Sequence, residues 1–240
     1  MKVKYPVIKG AIGEWVVNRA LEKLGADYSL HHDIYVPDGN GGTSQIDHIV
    51  VSPFGVFVIE TKHYQGWIFG KENQQYWTQV IYKRKERLYN PIWQNQGHIQ
   101  ALSKYLNSDE FRHIHSIIAF SRQSTLKFED DFKSARVVKF SQLSKTINEW
   151  NQPVLNPIEQ KRINEAIGEL TFEDSKVKKQ VKKLHIERVR QKAMTKRVVE
   201  KPKGNSCPRC NGELSIKKGK YGGFYGCNNF PKCRYTQKIS

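Results

Sequence analysis

The chain has 240 residues, of which 38% are hydrophobic and 11% aromatic, and its formal net charge is +17. This composition suits one packed domain of medium size together with a small additional module. No window approaches the run of about 20 apolar residues that a membrane helix needs, and the first residues lack the apolar stretch of a secretory signal. These features argue against a membrane protein or a secreted one and predict a cytoplasmic protein.

The excess positive charge is confined to the C-terminal part of the chain. Residues 1–175 hold 21 Lys and Arg against 20 Asp and Glu, whereas residues 176–240 hold 19 against 3. This asymmetry predicts a near-neutral globular domain followed by a tail that binds a polyanion. A membrane surface is the competing partner, but the apolar face of the tail is broken, which disfavours a membrane-bound helix.

The N-terminal half reads as a helix followed by extended segments. Apolar residues recur with a helical period over residues 11–24, and the pattern stops at Gly25. Short apolar runs bounded by Gly and Pro come next, and two of them are joined closely enough to form a hairpin. Extended segments are predicted at residues 28–36, 46–52, 56–62, 65–70 and 76–82, of which the second and third form the hairpin.

The C-terminal half alternates helices with strands. Asn90 is a suitable helix N-cap with Pro91 at the first helical position, and Asn156 with Pro157 repeats this signal. Another helix is predicted over residues 141–150, and buried strands over 113–120 and 135–140. The order of these elements predicts a mixed sheet covered by helices. Residues 173–204 read as a basic linker, which begins with a helical apolar stripe that then drifts.

The second strand of the hairpin ends in charged residues. Residues 56–59 are apolar on both faces, which is typical of a buried strand, yet Glu60 and Lys62 follow at once. A buried carboxylate is costly unless something offsets its charge. Either the strand frays at this point or the core presents a charged site.

The hairpin register brings a second carboxylate into the same place. With a two-residue loop, Ser52 faces Gly55 and Asp47 lies opposite Glu60, while Glu60 and Lys62 share one face. A bulge at Gly55 would shift this register by one residue. Two facing carboxylates repel each other unless a cation lies between them. The pattern therefore predicts a hard divalent ion such as Mg²⁺ beside an amine, which can activate water and stabilise charge on a phosphorus centre.

The tail carries four cysteines in the pattern Cys-x2-Cys, sixteen residues, Cys-x5-Cys. Each pair can place two thiolates around one tetrahedral Zn²⁺, and metal binding would supply much of the folding energy of so small a module. Reduced structural cysteines without a metal are the alternative. The predicted structural zinc ligands are Cys207, Cys210, Cys227 and Cys233.

The cysteine segment also resembles the zinc-finger repeat at the C-terminus of bacterial type I DNA topoisomerases, through "CPRC" and "KYGGFYGCNNFPKCRYT". The resemblance implies a zinc ribbon that binds DNA, often as single strands, with the four cysteines as ligands. Aromatic faces for base stacking and cations for phosphates agree with this, although one or two of the aromatics are expected to cover the metal core. The predicted nucleic-acid-binding residues are Lys217, Lys218, Lys220, Tyr221, Phe224, Tyr225, Lys232, Arg234 and Tyr235.

The body resembles the nuclease-related domain (NERD) family of the PD-(D/E)XK nuclease superfamily. The resemblance rests on "GAIGEWVV", "QIDHIVVSPFGVFVIETKHYQGWIFG" and "NPIWQNQGHIQAL", and it covers roughly residues 8–120. It implies a restriction-endonuclease-like α/β fold that processes DNA. Ile46 stands where the superfamily motif has proline, at a position that varies widely. By this resemblance Asp47 and Glu60 would be the principal metal ligands, with the Thr61 carbonyl as a third. Glu14 on the first helix would be an outer or direct metal ligand. Lys62 would be the catalytic lysine and Gln94 a supporting polar residue near the site.

Other residues near the motif have simpler interpretations. His48 and His63 flank the site but are interpreted as hydrogen-bonded structural histidines. Trp67, Trp77 and Trp93 are interpreted as core or cover residues.

The sequence thus predicts a nuclease using Mg²⁺ or Mn²⁺, with a NERD-like domain at 1–172, a basic linker at 173–204 and a ribbon at 205–240. A non-catalytic nucleic-acid-binding adaptor and RNA as the substrate remain alternatives.

Overall fold

A computed structural model describes residues 16–107, 113–171, 175–199, 206–219 and 222–238. The chain divides into two compact units, residues 1–185 and 186–240. The sequence-based boundaries at 172 and 204 remain predictions. In the described residues no helix has the length and apolar character needed to cross a membrane.

The first unit contains two sheets and a set of short helices. Its strands are β1 Ser29–Pro37, β2 Thr43–Ser52, β3 Gly55–Lys62, β4 Gly66–Phe69, β5 Tyr76–Ile81, β6 Arg84–Tyr89, β7 Ile114–Phe120, β8 Ser124–Leu126 and β9 Arg136–Lys139. Its helices are α1 (residues 16–21), α2 Pro91–Tyr105, α3 Leu143–Ile147 after a 3-10 turn at Phe140–Gln142, and α4 Pro157–Gly168. Helix α5, Ser175–Val199, begins in this unit and extends beyond it.

The larger sheet has the strand order β1-β2-β3-β7-β9. Its first three strands are antiparallel, whereas β7 pairs parallel with β3 and β9 pairs parallel with β7. One apolar cluster packs the sheet against α2 and α4, and a second packs it against α1 and α3. The predicted mixed sheet covered by helices is confirmed.

Strand β3 is central and buried because its alternating side chains enter different clusters. Val56 and Val58 lie in the cluster with α4, and Phe57 and Ile59 lie in the cluster with α3. The pairing of Ser52 with Gly55 confirms the predicted register. Gly55 has a φ of 124°, and a Cβ there would lie 2.7 Å from the His113 carbonyl oxygen, so the turn requires glycine.

The smaller sheet has the order β6-β5-β4-β8 and directly continues two strands of the larger one. The Ser121 N–H donates to the Lys62 carbonyl at 3.0 Å, and the Gly66 N–H donates to the Gln123 carbonyl at 3.0 Å. Strands β3 and β7 thereby pass into β4 and β8, which also pair parallel. Strands β6 and β8 were not predicted from the sequence.

Both predicted Asn-Pro helix starts are confirmed. The Asn90 side chain accepts a hydrogen bond from the Ile92 N–H, and Asn156 accepts from Ile158 and Glu159. The helix predicted over residues 141–150 is shorter, because it consists of the 3-10 turn and the five residues of α3. The basic linker is largely helical, as α5.

The second unit contains a three-stranded antiparallel sheet formed by β10 Leu214–Gly219, β11 Gly222–Cys227 and β12 Thr236–Lys238. Its buried apolar cluster, in the described residues, consists of Leu214 and three of the cysteines, with Tyr235 packed against them. An apolar core of this size cannot stabilise a fold by itself.

Candidate functional site

The Glu60 carboxylate is buried at the C-terminal end of β3 and contacts three side chains. Its Oε1 accepts from Lys62 Nζ at 2.5 Å and from Gln94 Nε2 at 2.8 Å. Its Oε2 lies 3.1 Å from His98 Nε2. Because Gln94 Oε1 also accepts from Lys62 Nζ at 2.8 Å, the amide of Gln94 bridges the acid and the amine.

Asp47 faces this network from the neighbouring strand. The backbone ladder of the hairpin ends at the pair of His48 and Ile59, one residue before Asp47 would face Glu60. Beyond that pair, Asp47 Oδ2 accepts from the Thr61 N–H at 2.8 Å and from Thr61 Oγ1 at 2.7 Å. Side-chain hydrogen bonds from Asp47 therefore replace the backbone pairing between β2 and β3 at this end and hold the end of β3 beside β2.

The two carboxylates have opposite electrostatic environments. Burial and the nearby Glu60 charge raise the pKa of Asp47 to about 7, although the Thr61 hydrogen bonds oppose this. Burial also acts to raise the pKa of Glu60, but the adjacent Lys62 charge and the His98 contact outweigh it and lower that pKa. Burial disfavours the charged form of Lys62, yet Glu60 keeps the lysine pKa above its ordinary value. Glu60 and Lys62 thus form an ion pair, and Asp47 is the carboxylate whose charge is least compensated.

Helix α2 is held against β3 by a buried asparagine. Asn95 Nδ2 donates to the Val58 carbonyl at 2.9 Å and to Ser116 Oγ at 2.8 Å, which joins the helix to β3 and β7. Gln94 and His98 are four residues apart, so they lie on one helical face. His98 Nδ1 lies 2.6 Å from Ser44 Oγ on β2, which orients the imidazole toward Glu60.

The four cysteines of the second unit form a cluster suited to zinc. Their sulfur atoms lie within 4.8 Å of one another, and all four are free thiols. The Cys207–Cys233 and Cys210–Cys227 sulfur separations are 3.7 and 3.4 Å, too long for disulfides and close to the edge of about 3.8 Å that a tetrahedron with Zn–S bonds of about 2.3 Å requires. The Asn229 N–H donates a hydrogen bond to the Cys227 sulfur, with the nitrogen 3.4 Å from the sulfur. The predicted zinc ligands therefore converge.

The predicted nucleic-acid-binding residues of the ribbon fall into two groups. The cations Lys217, Lys218, Lys232 and Arg234 are exposed, whereas Phe224, Tyr225 and Tyr235 are half-buried. Tyr235 packs against the cysteine core, as expected for one or two of these rings. Lys220 and Tyr221 lie outside the described residues.

The body and the ribbon are each similar to a known protein family. The nuclease-related domain model matches residues 9–121, and the model of the topoisomerase DNA-binding C4 zinc finger matches residues 204–240. An uncharacterized protein of Bacillus anthracis is 37% identical over 188 residues, which cover 77% of this chain and 88% of that protein. The chain belongs to the nuclease-related domain (NERD) family.

The ribbon of this NERD protein has relatives of another kind. DNA topoisomerase 1 of Methanocaldococcus jannaschii is 51% identical over 45 residues, which are 19% of this chain and 6% of the topoisomerase. DNA topoisomerase 1 of Campylobacter jejuni is 56% identical over 36 residues, which are 15% of this chain and 5% of the topoisomerase. No solved structure matches the chain.

The structure brings together most of the site residues that the NERD resemblance implies. Asp47, Glu60, Lys62 and Gln94 lie around the end of β3, while Glu14 lies outside the described residues. The contacts of Thr61 with Asp47 are made by its N–H and hydroxyl, so the assignment of its carbonyl as a ligand stays a prediction. His98 was missed, although its place four residues after Gln94 was the available signal.

Both flanking histidines differ from the sequence interpretation, since Nδ1 of His63 also has no hydrogen-bond partner among the described residues. His48 is buried, and among the described residues neither of its ring nitrogens has a hydrogen-bond partner. Burial lowers its pKa to about 4, so the imidazole is neutral. The interpretation of His48 as a hydrogen-bonded histidine is therefore wrong within the described part of the chain. His63 stacks on Phe140, with ring centroids 6.4 Å apart.

The donor set at the end of β3 fits Mg²⁺ rather than a metal held by protein ligands alone. In the described residues, the four cysteines form a group of three or more His, Cys, Asp or Glu ligands close enough to share one ion, whereas the residues at the end of β3 do not. The end of β3 offers two carboxylates, and Mg²⁺ is usually bound through one or two carboxylates with waters and substrate phosphates. Burial and the Glu60 charge raise the pKa of Asp47, and a cation bound beside the two carboxylates would offset their repulsion.

Proposed function

We propose that this protein is a nuclease that requires Mg²⁺ or Mn²⁺ and hydrolyses phosphodiester bonds in DNA. The observation that carries the proposal is the convergence of Asp47, Glu60 and Lys62 at the end of β3, with Lys62 Nζ 2.5 Å from Glu60 Oε1. Membership of the NERD family supports the same reaction class. A cytoplasmic location belongs to this proposal.

In this proposal Asp47 and Glu60 hold the cation, and the Thr61 carbonyl completes the protein ligands. The bound cation would activate water and stabilise negative charge on the phosphate. Lys62 neutralises charge that develops on the phosphate oxygens, and its position is set by Glu60 and Gln94. Gln94 acts as a positioning residue because one amide group contacts both of these side chains.

The direct test incubates plasmid and linear DNA with Mg²⁺ or Mn²⁺ and compares the wild type with Glu60→Ala and Lys62→Ala. Each substitution should slow cleavage by about 100-fold or more, since each removes a preorganised charge. Glu165→Ala, an exposed carboxylate on α4, serves as the control and should cleave normally. Cleavage that persists unchanged in both site variants would refute the assigned site.

The basic C-terminal region would tether the substrate to the body. Helix α5 contacts the body at two points. Lys178 Nζ lies 3.2 Å from Asp33 Oδ2, and His185 Nδ1 lies 3.1 Å from Thr43 Oγ1. A chain shortened to residues 1–190 retains these contacts but lacks the ribbon. It should keep metal-dependent cleavage at high DNA concentration but need at least 10-fold more DNA to saturate, because tethering raises the local substrate concentration. Identical saturation curves for the short and full-length chains would exclude the tether.

The second candidate function is a non-catalytic nucleic-acid-binding adaptor with the nuclease fold. The observation that favours it is the closed network around Glu60, in which Lys62, Gln94 and His98 already occupy both carboxylate oxygens. Absence of cleavage with every divalent ion, together with retained binding, would select this function. Competition between single-stranded DNA and RNA at a fixed salt concentration then identifies the preferred nucleic acid.

A further inference from the structure

The outer face of the smaller sheet carries aromatic and basic residues that the proposed site does not use. Strand alternation buries Ile68, Trp77 and Gln79 on one face and turns Trp67 and Phe69 outward. Trp67 is 53% exposed and Phe69 is 36% exposed, with their ring centroids 6.3 Å apart. Trp67 is therefore not a core residue, and the exposed part of its ring needs another explanation.

Cations are interleaved with these rings by the strand register. Val80 lies opposite both Trp67 and Lys85, and Thr78 lies opposite both Phe69 and Arg87. Lys127 directly follows β8, the neighbour of β4, and its Nζ lies 5.8 Å from the centroid of the Trp67 ring. At the other end of the sheet, the Arg87 guanidinium carbon lies 4.1 Å from the centroid of the Tyr76 ring. The face thus alternates flat rings with positive charges.

Within the four described strands of this sheet, no acidic residue lies on the face that carries these rings. The four strands contain one acidic residue, Glu86, which faces Gln79 on the other side of the sheet and pairs with Arg84. This arrangement is not needed for folding. Three neighbouring cations repel one another, and aromatic rings that stay exposed contribute little to stability. A polyanion that carries flat apolar groups could pair its charges with these cations and stack its flat groups on these rings.

A cavity of about 510 Å³ opens beside Trp67. Its lining residues include Trp67, Tyr82, which is 98% exposed, and the two glutamines Gln65 and Gln123. The volume lies in the range of small-molecule sites. Amides can hydrogen-bond the edge of a base while an aromatic ring stacks on its face.

We propose that this face binds single-stranded nucleic acid, with bases stacked on Trp67, Phe69 and Tyr82 and phosphates contacted by Lys85, Arg87 and Lys127. Accessible bases are required for stacking, and a duplex conceals them. This inference rests on the proposal that nucleic acid is the partner of the protein, but it does not require cleavage. It adds a binding surface on the body to the one predicted for the ribbon.

The surface is close to the candidate active site along the chain. Trp67 follows Lys62 by five residues, so their Cα atoms are at most about 18 Å apart. A strand bound on this face therefore lies within a few nucleotides of the charged residues at the end of β3. Substrate bound here would be single-stranded next to the bond that is cut.

The test measures binding of a fluorescent oligothymidylate to the full-length chain without added divalent ion, so that cleavage plays no part. Trp67→Ala should weaken binding about 5- to 150-fold, the effect of losing one stacked base. Trp67→Phe should restore most of the affinity, because a ring remains. Ile158→Ala removes an exposed apolar side chain from α4, is the matched control, and should bind like the wild type.

Two further measurements separate this face from the ribbon. An oligothymidylate carrying 5-iodouracil should crosslink under ultraviolet light to the peptide containing Trp67, as identified by mass spectrometry. Lys85→Glu combined with Lys127→Glu should weaken binding more than Lys161→Glu combined with Arg162→Glu on α4. Unchanged affinity of Trp67→Ala with crosslinks confined to the ribbon would overturn the inference, as would a duplex that competes as well as the single strand. A failed nuclease assay would leave these binding results unaffected.

Discussion

The two candidate sites of this protein are stabilised in opposite ways. In the described part of the ribbon, the buried apolar cluster consists of Leu214 and three of the cysteines, so the predicted metal ligands are themselves the core. In the body, the charged residues at the end of β3 lie beside large apolar clusters that fold without them. The ribbon therefore depends on its metal for its fold, whereas the body should fold first and then hold a cation.

Removing zinc is the strongest way to expose this difference. We expect a chelator to unfold the ribbon completely and leave the body folded, because structural zinc contributes about 10–16 kcal/mol of apparent binding energy near neutral pH. Limited proteolysis and amide NMR signals of each unit provide the measurement. Cys210→Ser should have the same effect, whereas Arg209→Ala, between the first two cysteines, should retain zinc. A ribbon that stays protected after zinc is removed would contradict the comparison.

Breaking the ion pair in the body should have a smaller but local effect. Glu60→Ala leaves the Lys62 charge buried without its partner and should lower the free energy of unfolding of the body by about 3–5 kcal/mol. Urea denaturation measures this loss. The control is Glu165→Ala, which breaks an exposed pair with Lys161 and should cost less than about 1 kcal/mol. If both variants cost the same, the network is not a buried ion pair.

The pH dependence of stability should reveal the uncompensated charge of Asp47. Its folded-state pKa of about 7 lies above the ordinary value of 3.8, so the folded state binds more protons than the unfolded state between these values. The contribution of Asp47 to stability is therefore lost as pH rises from 4 through 7. Relative to the wild type, Asp47→Asn should gain about 1–3 kcal/mol between pH 4 and pH 8, allowing for partial solvent screening.

Divalent cations should abolish the stability that Asp47→Asn gains over the wild type at high pH. Mg²⁺ should raise the thermal midpoint of the wild type more at pH 8, where Asp47 is ionised, than at pH 5, where the metal must displace a proton from Asp47. Asp47→Asn should show little response at either pH. An equal effect of Mg²⁺ on both proteins would place the cation elsewhere.

The smallest expected effect concerns single phosphate contacts of the ribbon. Lys217→Ala should reduce the slope of log binding constant against log salt by about 0.7–0.9, as expected for one lost phosphate contact. Lys161→Ala on α4 should leave the slope unchanged. A salt slope that responds equally to both substitutions would show that the ribbon acts through overall charge.

Local signals predicted a large part of this structure. The register of the hairpin followed from its two-residue loop, and both Asn-Pro helix starts followed from capping chemistry. The cysteine spacing predicted four thiols that converge. In each case the residues that determine the geometry are close together in sequence.

The features that were missed depend on tertiary contacts. His98 reaches Glu60 because Asn95 joins α2 to β3 and β7; the spacing from Gln94 shows that the two share a helical face, but not that this face meets Glu60. Strand β6 reads as a polar segment because its outer residues are solvated, and β8 has only three residues. The length of α5 was also missed, since its apolar stripe drifts.

The parallel pairing of β3 with β7 determines when the body can become functional during synthesis. β3 joins β7 only after the whole of the smaller sheet's hairpin and α2 have left the ribosome, because Val56 pairs with Ile114. Parallel pairing over such a separation requires closure of a long loop, which slows folding. The nascent chain therefore presents Glu60 and Lys62 long before it can hold them together. Assembly of the charged residues is deferred until β7 has emerged and docked, so an incomplete chain would be inert.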